Sequence, residues 1–278
     1  ARMGRPHIMN NADMSNAFGS TDWDALDVAT STLLLEEDQV FGQQRYKLAT
    51  IELPAREGPL LVKTNCGALM GDPYAVKGFV HGFHPPIDEW CQQLYRTRDE
   101  ADELCFRSLW TVDPVSGCTV DISYSKYADD IVKAVDAKDA EHVYDLPVLS
   151  EFVMTALDEH LSSRGYKQNR GKLYGILAAK GKNSKKFKLD VKSKRVAMPG
   201  NTCYMTRSLG GMLQHDCKYG CELAARISAG KRAYGMMSRF FTQGGVPKKW
   251  KRSLLICRVQ NAFLSNAEAF LPSDKQCK

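Results

Sequence analysis

The sequence predicts an α+β protein in which strands and helices are mixed at first and helices dominate the end of the chain. Two local patterns support this class. β-branched and aromatic residues form short runs bounded by turn-forming residues, as in residues 174–178. Apolar residues at helical spacing predict an amphipathic helix over residues 146–164, and Gly165 follows as its C-terminal stop. With 278 residues, of which 44% are hydrophobic, the chain can bury a substantial core.

The remaining elements follow from local signals taken in chain order. Aspartates mark helix starts, prolines and glycines mark turns, and β-branched residues mark strands. His81 and His84 stand beside two prolines and are predicted to lie in a surface loop. Residues 180–195 carry eight basic residues against Asp190 alone, and they are predicted to form a basic loop or hairpin that suits non-specific contact with RNA. The predicted elements are, in order, a broken strand within 6–19, a helix over 22–37, a hairpin from 45–53 and 59–64, a loop over 67–73, helical stretches over 74–83 and 88–104, a hairpin over 117–132, the helix 146–164, the strand 174–178, and helices over 222–241 and 250–270.

Charge is divided unevenly between the two halves of the chain. Residues 1–150 hold 13 Lys and Arg against 24 Asp and Glu, whereas residues 151–278 hold 25 against 8. An acidic half suits divalent cations, and a basic half suits a polyanion such as nucleic acid. The alternative is that the two halves neutralise each other across an interface.

Other features of the sequence narrow the class of protein. No apolar stretch is long enough to span a bilayer, so no membrane partner is expected. The nine cysteines show no framework spacing, which indicates reduced thiols in an intracellular protein. The chain begins with neither an initiator methionine nor a signal peptide, and we therefore expect it to be a piece of a longer protein.

A pair of adjacent aspartates, Asp129 and Asp130, lies between β-prone stretches and is predicted near the tip of a tight hairpin. Adjacent carboxylates repel each other, and a hairpin tip that concentrates negative charge is suited to hold Mg²⁺. A solvated acidic turn is the plainer alternative. Asp13 ends its own predicted strand, so all three carboxylates could converge on a site for two Mg²⁺ ions if the two strands pair in one sheet.

Four short motifs occur in a fixed order, and the ordered set is more specific than any one of them. They are Asp-x4-Phe at residues 13–18, Gly-Asp-Pro at 71–73, Tyr-x-Asp-Asp at 127–130 and Asn-x-x-Lys at 169–172. In these motifs the chain resembles reverse transcriptases, most closely those of non-LTR (LINE-like) retrotransposons. The resemblance covers nearly the whole chain and implies the right-hand fold of polymerases. It implies a palm, an antiparallel sheet backed by helices, with partial fingers elements over residues 1–211, and a mostly helical thumb over 212–278.

The resemblance also implies a role for each matching residue, and each role has a plainer alternative. Asp13 and Asp129 are implied as metal ligands supported by Asp130, Phe18 as the steric gate against a 2′-hydroxyl, and Lys172 as the acid that protonates pyrophosphate. Asp13 could instead cap a turn, Phe18 could be core, and Lys172 could be a solvated charge. Met70, Gly71 and Tyr127 are implied to contact the nucleotide, and Leu209, Gly210, Lys231, Arg232, Lys248 and Lys249 to contact the template and primer.

The resemblance implies an RNA-directed DNA polymerase that adds deoxynucleoside triphosphates to a DNA primer on an RNA template. Its implied cofactor is a pair of Mg²⁺ ions, with Mn²⁺ as a possible substitute. Its implied setting is a retroelement polyprotein, active as a particle in the cytoplasm and nucleus. Three departures favour an alternative, a catalytically inactive nucleic-acid-binding remnant: Met70 replaces the usual glutamine, Gly19 replaces an aspartate, and the N-terminal fingers are missing. An RNA-dependent RNA polymerase is a weaker alternative, since Phe18 favours deoxynucleotides.

Overall fold

Strands and helices alternate in the computed structural model, which describes residues 5–48, 50–67, 73–100, 110–208, 211–215 and 220–265. The mixed architecture confirms the predicted α+β class. The strands are β1 (His7–Ala12), β2 (Thr50–Leu53), β3 (Leu60–Lys63), β4 (Trp110–Val112), β5 (Thr119–Asp121), β6 (Tyr124–Tyr127), β7 (Asp130–Asp136), β8 (Tyr174–Ala178), β9 (Asn201–Cys203), β10 (Met205–Ser208) and β11 (Gly211–Gln214). The helices are α1 (Ala17–Ser20), α2 (Trp23–Leu33), α3 (Glu36–Lys47), α4 (Pro73–Glu100), α5 (Leu146–Ser162), α6 (Ser184–Lys192), α7 (Gly220–Met236), α8 (Ser238–Thr242), α9 (Lys248–Leu254) and α10 (Asn261–Leu264).

A five-stranded sheet in the order β6-β7-β1-β8-β9 organises the larger part of the chain. β1 lies at its centre and runs antiparallel to both β7 and β8. Alternate residues of β1 and β7, including Ile8, Ile131 and Val135, are buried. The helix α5 packs against both strands, and α4 packs against α5. The sheet therefore has one face covered by helices and one face that is less buried, as the period-two alternation of an antiparallel sheet requires.

The helix α4 is continuous through Pro85 and Pro86, where the sequence predicted two helical stretches. The prediction of a surface loop at His81 and His84 is wrong, because both residues lie inside this helix. A proline inside a helix costs about 3 kcal/mol, but each large side chain buried returns about 1.5–3 kcal/mol. An apolar stripe at helical spacing continues past both prolines, and the free energy gained by burying it exceeds their cost. Its buried members are Phe79, Phe83, Ile87, Trp90 and Leu94.

Two other predictions of secondary structure are corrected. The predicted helix over residues 22–37 is broken, because Leu34 and Leu35 are extended between α2 and α3. The basic segment 180–195 is neither a loop nor a hairpin but contains the helix α6. Its helical form follows from Phe187, which is fully buried, and Val191 one turn later, which packs against the same core. The amphipathic helix, the strand 174–178 and the hairpin of β2 and β3 are confirmed.

The chain divides into two compact units, residues 2–202 and residues 203–278. The first contains the sheet and α1–α6. The second contains the hairpin of β10 and β11 and the helices α7–α10; there Glu222 is buried, accepts a hydrogen bond from the Met212 amide and pairs with Arg226. The sequence placed a domain boundary after residue 211, and the naming of the two units as palm and thumb stays a prediction. Within the described ranges, no helix combines the length and apolarity needed to cross a membrane.

Candidate active site at the end of the central strands

The register of the central strands brings Asp13 and Asp130 together. Ala12, the last residue of β1, pairs with Ile131 of β7. Asp13 follows Ala12 and Asp130 precedes Ile131, so the two aspartates lie at the same end of adjacent antiparallel strands. Ala12 and Ile131 are buried, and the next pair of positions falls on the less buried face of the sheet. The condition on which the convergence of the carboxylates depended, that the two strands pair in one sheet, is therefore met.

A two-residue turn carries Asp129. Tyr127 of β6 pairs with Asp130 of β7, which leaves Ala128 and Asp129 as the connection. Ala128 has a φ of 52°, in the left-handed region that non-glycine residues rarely adopt. This backbone conformation costs about 1–2 kcal/mol for a residue with a Cβ atom. Stored strain of this kind clusters at functional sites, so the turn is a candidate for chemistry and not only a surface connection.

Backbone hydrogen bonds hold Asp13 from its other side. The Asn169 amide donates to the carbonyl of Asp13 over 2.8 Å, and the Ser15 amide donates to the carbonyl of Lys167, also over 2.8 Å. Met14 and Gln168 form an isolated antiparallel bridge between these two bonds. The segment after α5 is thereby fixed beside the end of β1. This fixed segment leads directly into the short 3-10 turn that carries Lys172.

Lys172 lies against the Asp13 carboxylate. Its Nζ is 2.9 Å from Asp13 Oδ2, and this contact, together with the negative charge of Asp13 and Asp129, raises the pKa of Lys172. The lysine is otherwise exposed. Asp13 Oδ2 is buried, and the Lys172 ammonium is the cation that lies close to it. A buried carboxylate oxygen without a hydrogen bond is costly unless a cation lies close to it.

Burial raises the pKa of Asp130, and the negative charges of Asp129 and Asp13 raise it further, while Lys172 opposes them. The three carboxylates therefore act on one another electrostatically, which a solvated acidic turn alone would not produce. Keeping all of them ionised at neutral pH requires a compensating positive charge.

The donor set fits Mg²⁺ in its chemistry. Three carboxylates supply the hard oxygen ligands that Mg²⁺ prefers, and the buried Oδ2 of Asp13 already lies next to a cation, the Lys172 ammonium. Within the described part of the chain, however, no three Asp, Glu, His or Cys side chains are placed closely enough to hold one ion together. These observations are compatible, because Mg²⁺ is commonly bound by one or two carboxylates with waters and substrate phosphates rather than in an all-protein cage.

Phe18 belongs to the core beside this site. Its ring lies 4.6 Å from the ring of Phe79 on α4, so packing accounts for at least part of its presence. The neighbouring Gly19 is approached by Gly67, whose φ of 94° and close backbone contact leave no room for a Cβ atom. The Gly67 amide also donates to the carbonyl of Thr21 over 2.8 Å. Gly67, the first residue of the loop that the sequence predicts over 67–73, therefore lies close to the residue that follows Phe18.

The other predicted site residues lie elsewhere or outside the described residues. Tyr127 is 68% exposed at the end of β6. Met70 and Gly71, and likewise Leu209 and Gly210, fall outside the described residues. The predicted nucleic-acid contacts lie in the second unit, where all are exposed: Lys231 and Arg232 on α7, and Lys248 and Lys249 on α9.

A buried lysine behind the turn was missed by the sequence analysis. Lys133 is 5% exposed and donates hydrogen bonds to Asp121 Oδ2, at 3.1 Å, and to Ser123 Oγ. Its ammonium lies about 6 Å from the rings of Trp90 and Tyr124, within the range of a cation–π interaction. A signal for it exists in the sequence, because period-two alternation from Ile131 places Lys133 on the buried face of its strand.

Replacing Asp130 with asparagine is expected to raise the free energy of unfolding by up to about 1 kcal/mol at neutral pH without divalent cations. The variant keeps the shape of the side chain and removes one of the mutually repelling charges. Because the pKa of Asp130 is higher in the folded protein than in the unfolded chain, the folded protein takes up the proton first as the pH falls. The gain should therefore be largest at neutral pH and shrink as the pH falls through the folded-state pKa. Urea unfolding at several pH values measures this change in the free energy of unfolding. A gain that grows on acidification would contradict the raised pKa of Asp130.

Comparisons with known proteins identify similar solved structures only. No family model matches the chain, and no curated protein is significantly similar to it in sequence. The apo telomerase of Candida tropicalis, truncated from its C-terminal domain, is 8% identical with a TM-score of 0.41, over 76% of this chain and 34% of that one. Telomerase of the same organism in complex with a TWJ fragment of telomeric RNA is 11% identical with a TM-score of 0.46, over 96% of this chain and 39% of that one. This chain thus spans well under half the length of either.

Proposed function

We propose that this chain is the palm and thumb part of an RNA-directed DNA polymerase that transfers nucleotides to a primer 3′-hydroxyl. One observation carries the proposal: Asp13 and the Asp129–Asp130 turn meet at one end of adjacent central strands, in the order and spacing of the reverse transcriptase motifs. Residues 2–202 are assigned as the palm and residues 203–278 as the thumb. The proposed partners are an RNA template, a DNA primer and deoxynucleoside triphosphates, and the proposed setting is a longer retroelement polyprotein.

In the proposed mechanism the three aspartates bind cations and orient the reacting groups. Asp13 and Asp129 are the proposed ligands, with Asp130 supporting them. Two Mg²⁺ ions, or Mn²⁺ in their place, supply Lewis acid chemistry at the attacking and leaving oxygens when bound. The primer 3′-hydroxyl loses its proton to solvent, its oxygen forms a bond to the α-phosphorus, and the bond from that phosphorus to the leaving pyrophosphate breaks.

Lys172 and Phe18 have supporting roles in this mechanism. The Lys172 ammonium is charged at neutral pH and can donate a proton to the leaving pyrophosphate, but its contact with Asp13 raises its pKa and makes it a weaker acid while that contact lasts. Lys172 is exposed apart from its contact with Asp13, and it would be free to reach the pyrophosphate if a bound cation shared the charge of that carboxylate. Phe18 is held against Phe79 at the end of β1, where a fixed ring can exclude a 2′-hydroxyl.

A catalytically inactive nucleic-acid-binding remnant is the second candidate function. Gly19 stands where the family commonly has aspartate, and a Cβ atom there would lie 2.2 Å from the Asn16 side chain in the present backbone. Asn16 is exposed and its side chain can move aside, so the backbone has room for an aspartate, and what the site lacks at residue 19 is the carboxylate itself. Lys172 would on this view be the permanent counter-ion of Asp13.

Extension of oligo(dT) on poly(rA) by the chain tests the proposal. With dTTP and Mg²⁺ we expect primers to lengthen, and we expect neither UTP nor a chelated reaction to support lengthening. Binding of an RNA:DNA duplex without extension, under both Mg²⁺ and Mn²⁺, would favour the remnant. Lengthening with UTP as efficient as with dTTP would favour an RNA polymerase and remove the proposed role of Phe18.

A further inference from the structure

The helix α6 presents a row of exposed lysines on the first unit. Its buried side holds Phe187 and Val191, which fixes the helix on the core. Of its other positions, Lys185, Lys186, Leu189 and Lys192 are exposed, whereas Ser184, Lys188 and Asp190 are half-buried. We call the exposed Lys185, Lys186 and Lys192 of this helix, together with Lys182 two residues before it, the α6 lysine face. At a rise of 1.5 Å per residue, Lys185 and Lys192 lie on the same side of the helix about 10 Å apart.

This face lies at the end of the sheet away from the candidate active site. Ala178, the last residue of β8, pairs with His7 at the start of β1, whereas Asp13 follows the other end of β1. Six residues of extended strand separate these ends by about 20 Å. Phe187 packs edge-on against Tyr144, which precedes α5 at that same distant end. The α6 lysine face is therefore separate from the carboxylates.

The charge of this face is not neutralised within the described part of the chain. Asp190 is the only acidic residue of the helix, and its side chain is 14% exposed. Its carboxylate accepts a hydrogen bond from the Tyr144 hydroxyl over 2.8 Å and lies 3.8 Å from the Arg195 guanidinium. Among the described residues, no carboxylate lies within ion-pair distance of the four lysines of the face.

The arrangement is unfavourable for folding by itself. Lys185 and Lys186 occupy the first turn of α6, where the helix dipole disfavours positive charge by about 0.3–1 kcal/mol per residue. Neighbouring lysines on the face add repulsion of similar size. The same dipole favours Lys192 in the last turn, so the unfavourable part is the first-turn pair and the repulsion between lysines, and a bound polyanion relieves both. Lysine side chains that contact only phosphate groups do not distinguish one base from another.

We propose that the α6 lysine face binds the phosphodiester backbone of a nucleic acid strand, without sequence preference, at a site separate from the polymerase centre. The strand lies along the helix and contacts Lys185 and Lys192 at successive phosphates. The site does not depend on the proposed catalytic function, since its residues take no part in the chemistry.

Binding of a labelled single-stranded RNA to the full chain tests this proposal. The variant Lys185→Gln/Lys192→Gln removes two contacts, each of which contributes about 0.7 to the dependence of log K on log salt. We expect its affinity at 0.1 M salt to fall roughly 25-fold and its salt slope to decrease by about 1.4. The matched control Arg56→Gln/Lys63→Gln loses two exposed charges from the hairpin of β2 and β3 and should keep the wild-type slope.

Two results would overturn the proposal. One is equal salt slopes for the helix variant and the hairpin control, which would make the lysines a solvated face. The other is unchanged RNA binding with loss of binding to vesicles that contain phosphatidylserine, which would make the face a lipid contact. Thermal unfolding of both variants should match the wild type, because exposed Lys→Gln changes alter stability by at most about 0.5 kcal/mol.

Discussion

Replacing Asp129 with asparagine is expected to lower the rate of primer extension at least about a thousandfold. The change preserves the size of the side chain and the turn that carries it but removes the charge that would bind a cation. Cation-assisted stabilisation of the transferring phosphoryl group contributes several kcal/mol, and about 4 kcal/mol corresponds to a factor of a thousand in rate. Single-turnover extension of a labelled primer, at saturating dTTP and Mg²⁺, measures the change directly.

Asp136 provides the matched control for this variant. It lies at the far end of β7, the strand that follows Asp129, and burial raises its pKa. Asp136→Asn therefore makes the same chemical change without touching the site, and we expect extension within a factor of two or so of the wild type. Equal activity of Asp129→Asn and the wild type would remove Asp129 from the mechanism, even if the chain polymerises.

The parts of the site that are local in sequence were predictable. The Asp129–Asp130 pair between two β-prone stretches predicts a hairpin because the turn and both strands lie within a few residues of each other. The strand before Asp13 is likewise defined by its own residues. What the sequence could not decide was whether β1 and β7 are neighbours, because residues far apart in the chain set the strand order.

Two errors in the predicted secondary structure have the same physical origin. In each, the burial of apolar side chains overrides a local preference of the sequence for a break or a loop. Pro85 and Pro86 argue locally for a break, but a continuous apolar stripe along α4 keeps the helix intact. The lysines of α6 argue locally for a solvated loop, but Phe187 and Val191 attach the segment to the core as a helix. In both cases the free energy gained by tertiary packing exceeds the cost of the unfavourable local preference.

Breaking the buried ion pair between Lys133 and Asp121 is expected to cost about 3–5 kcal/mol of unfolding free energy. Both side chains are largely removed from solvent, with exposures of 7% and 17%. Burial raises the pKa of the neighbouring Cys91 to about 11, so that thiol stays neutral and Asp121 is the counter-ion of the lysine. Lys133→Met fills the space of the stem but leaves the Asp121 carboxylate without its partner. Urea unfolding, with an unchanged dependence on denaturant concentration, measures the loss.

A second variant separates the ion pair from simple packing. Lys133→Met/Asp121→Asn removes both charges but keeps an oxygen at residue 121 for the Ser123 amide, which donates to it over 2.7 Å. If the cost of Lys133→Met comes from the unpaired carboxylate, the double variant should recover most of that cost, and the coupling energy between the two sites should exceed about 1 kcal/mol.

Lys138→Met is the control, because residue 138 is exposed just beyond β7, and it should change the free energy of unfolding by no more than about 0.5 kcal/mol. A double variant as unstable as Lys133→Met would show that the lysine acts through its contacts with Trp90 and Tyr124 instead. Because β7 carries both Lys133 and Asp130, a recovered fold with poor primer extension would further indicate that the buried pair positions the turn that bears the carboxylates.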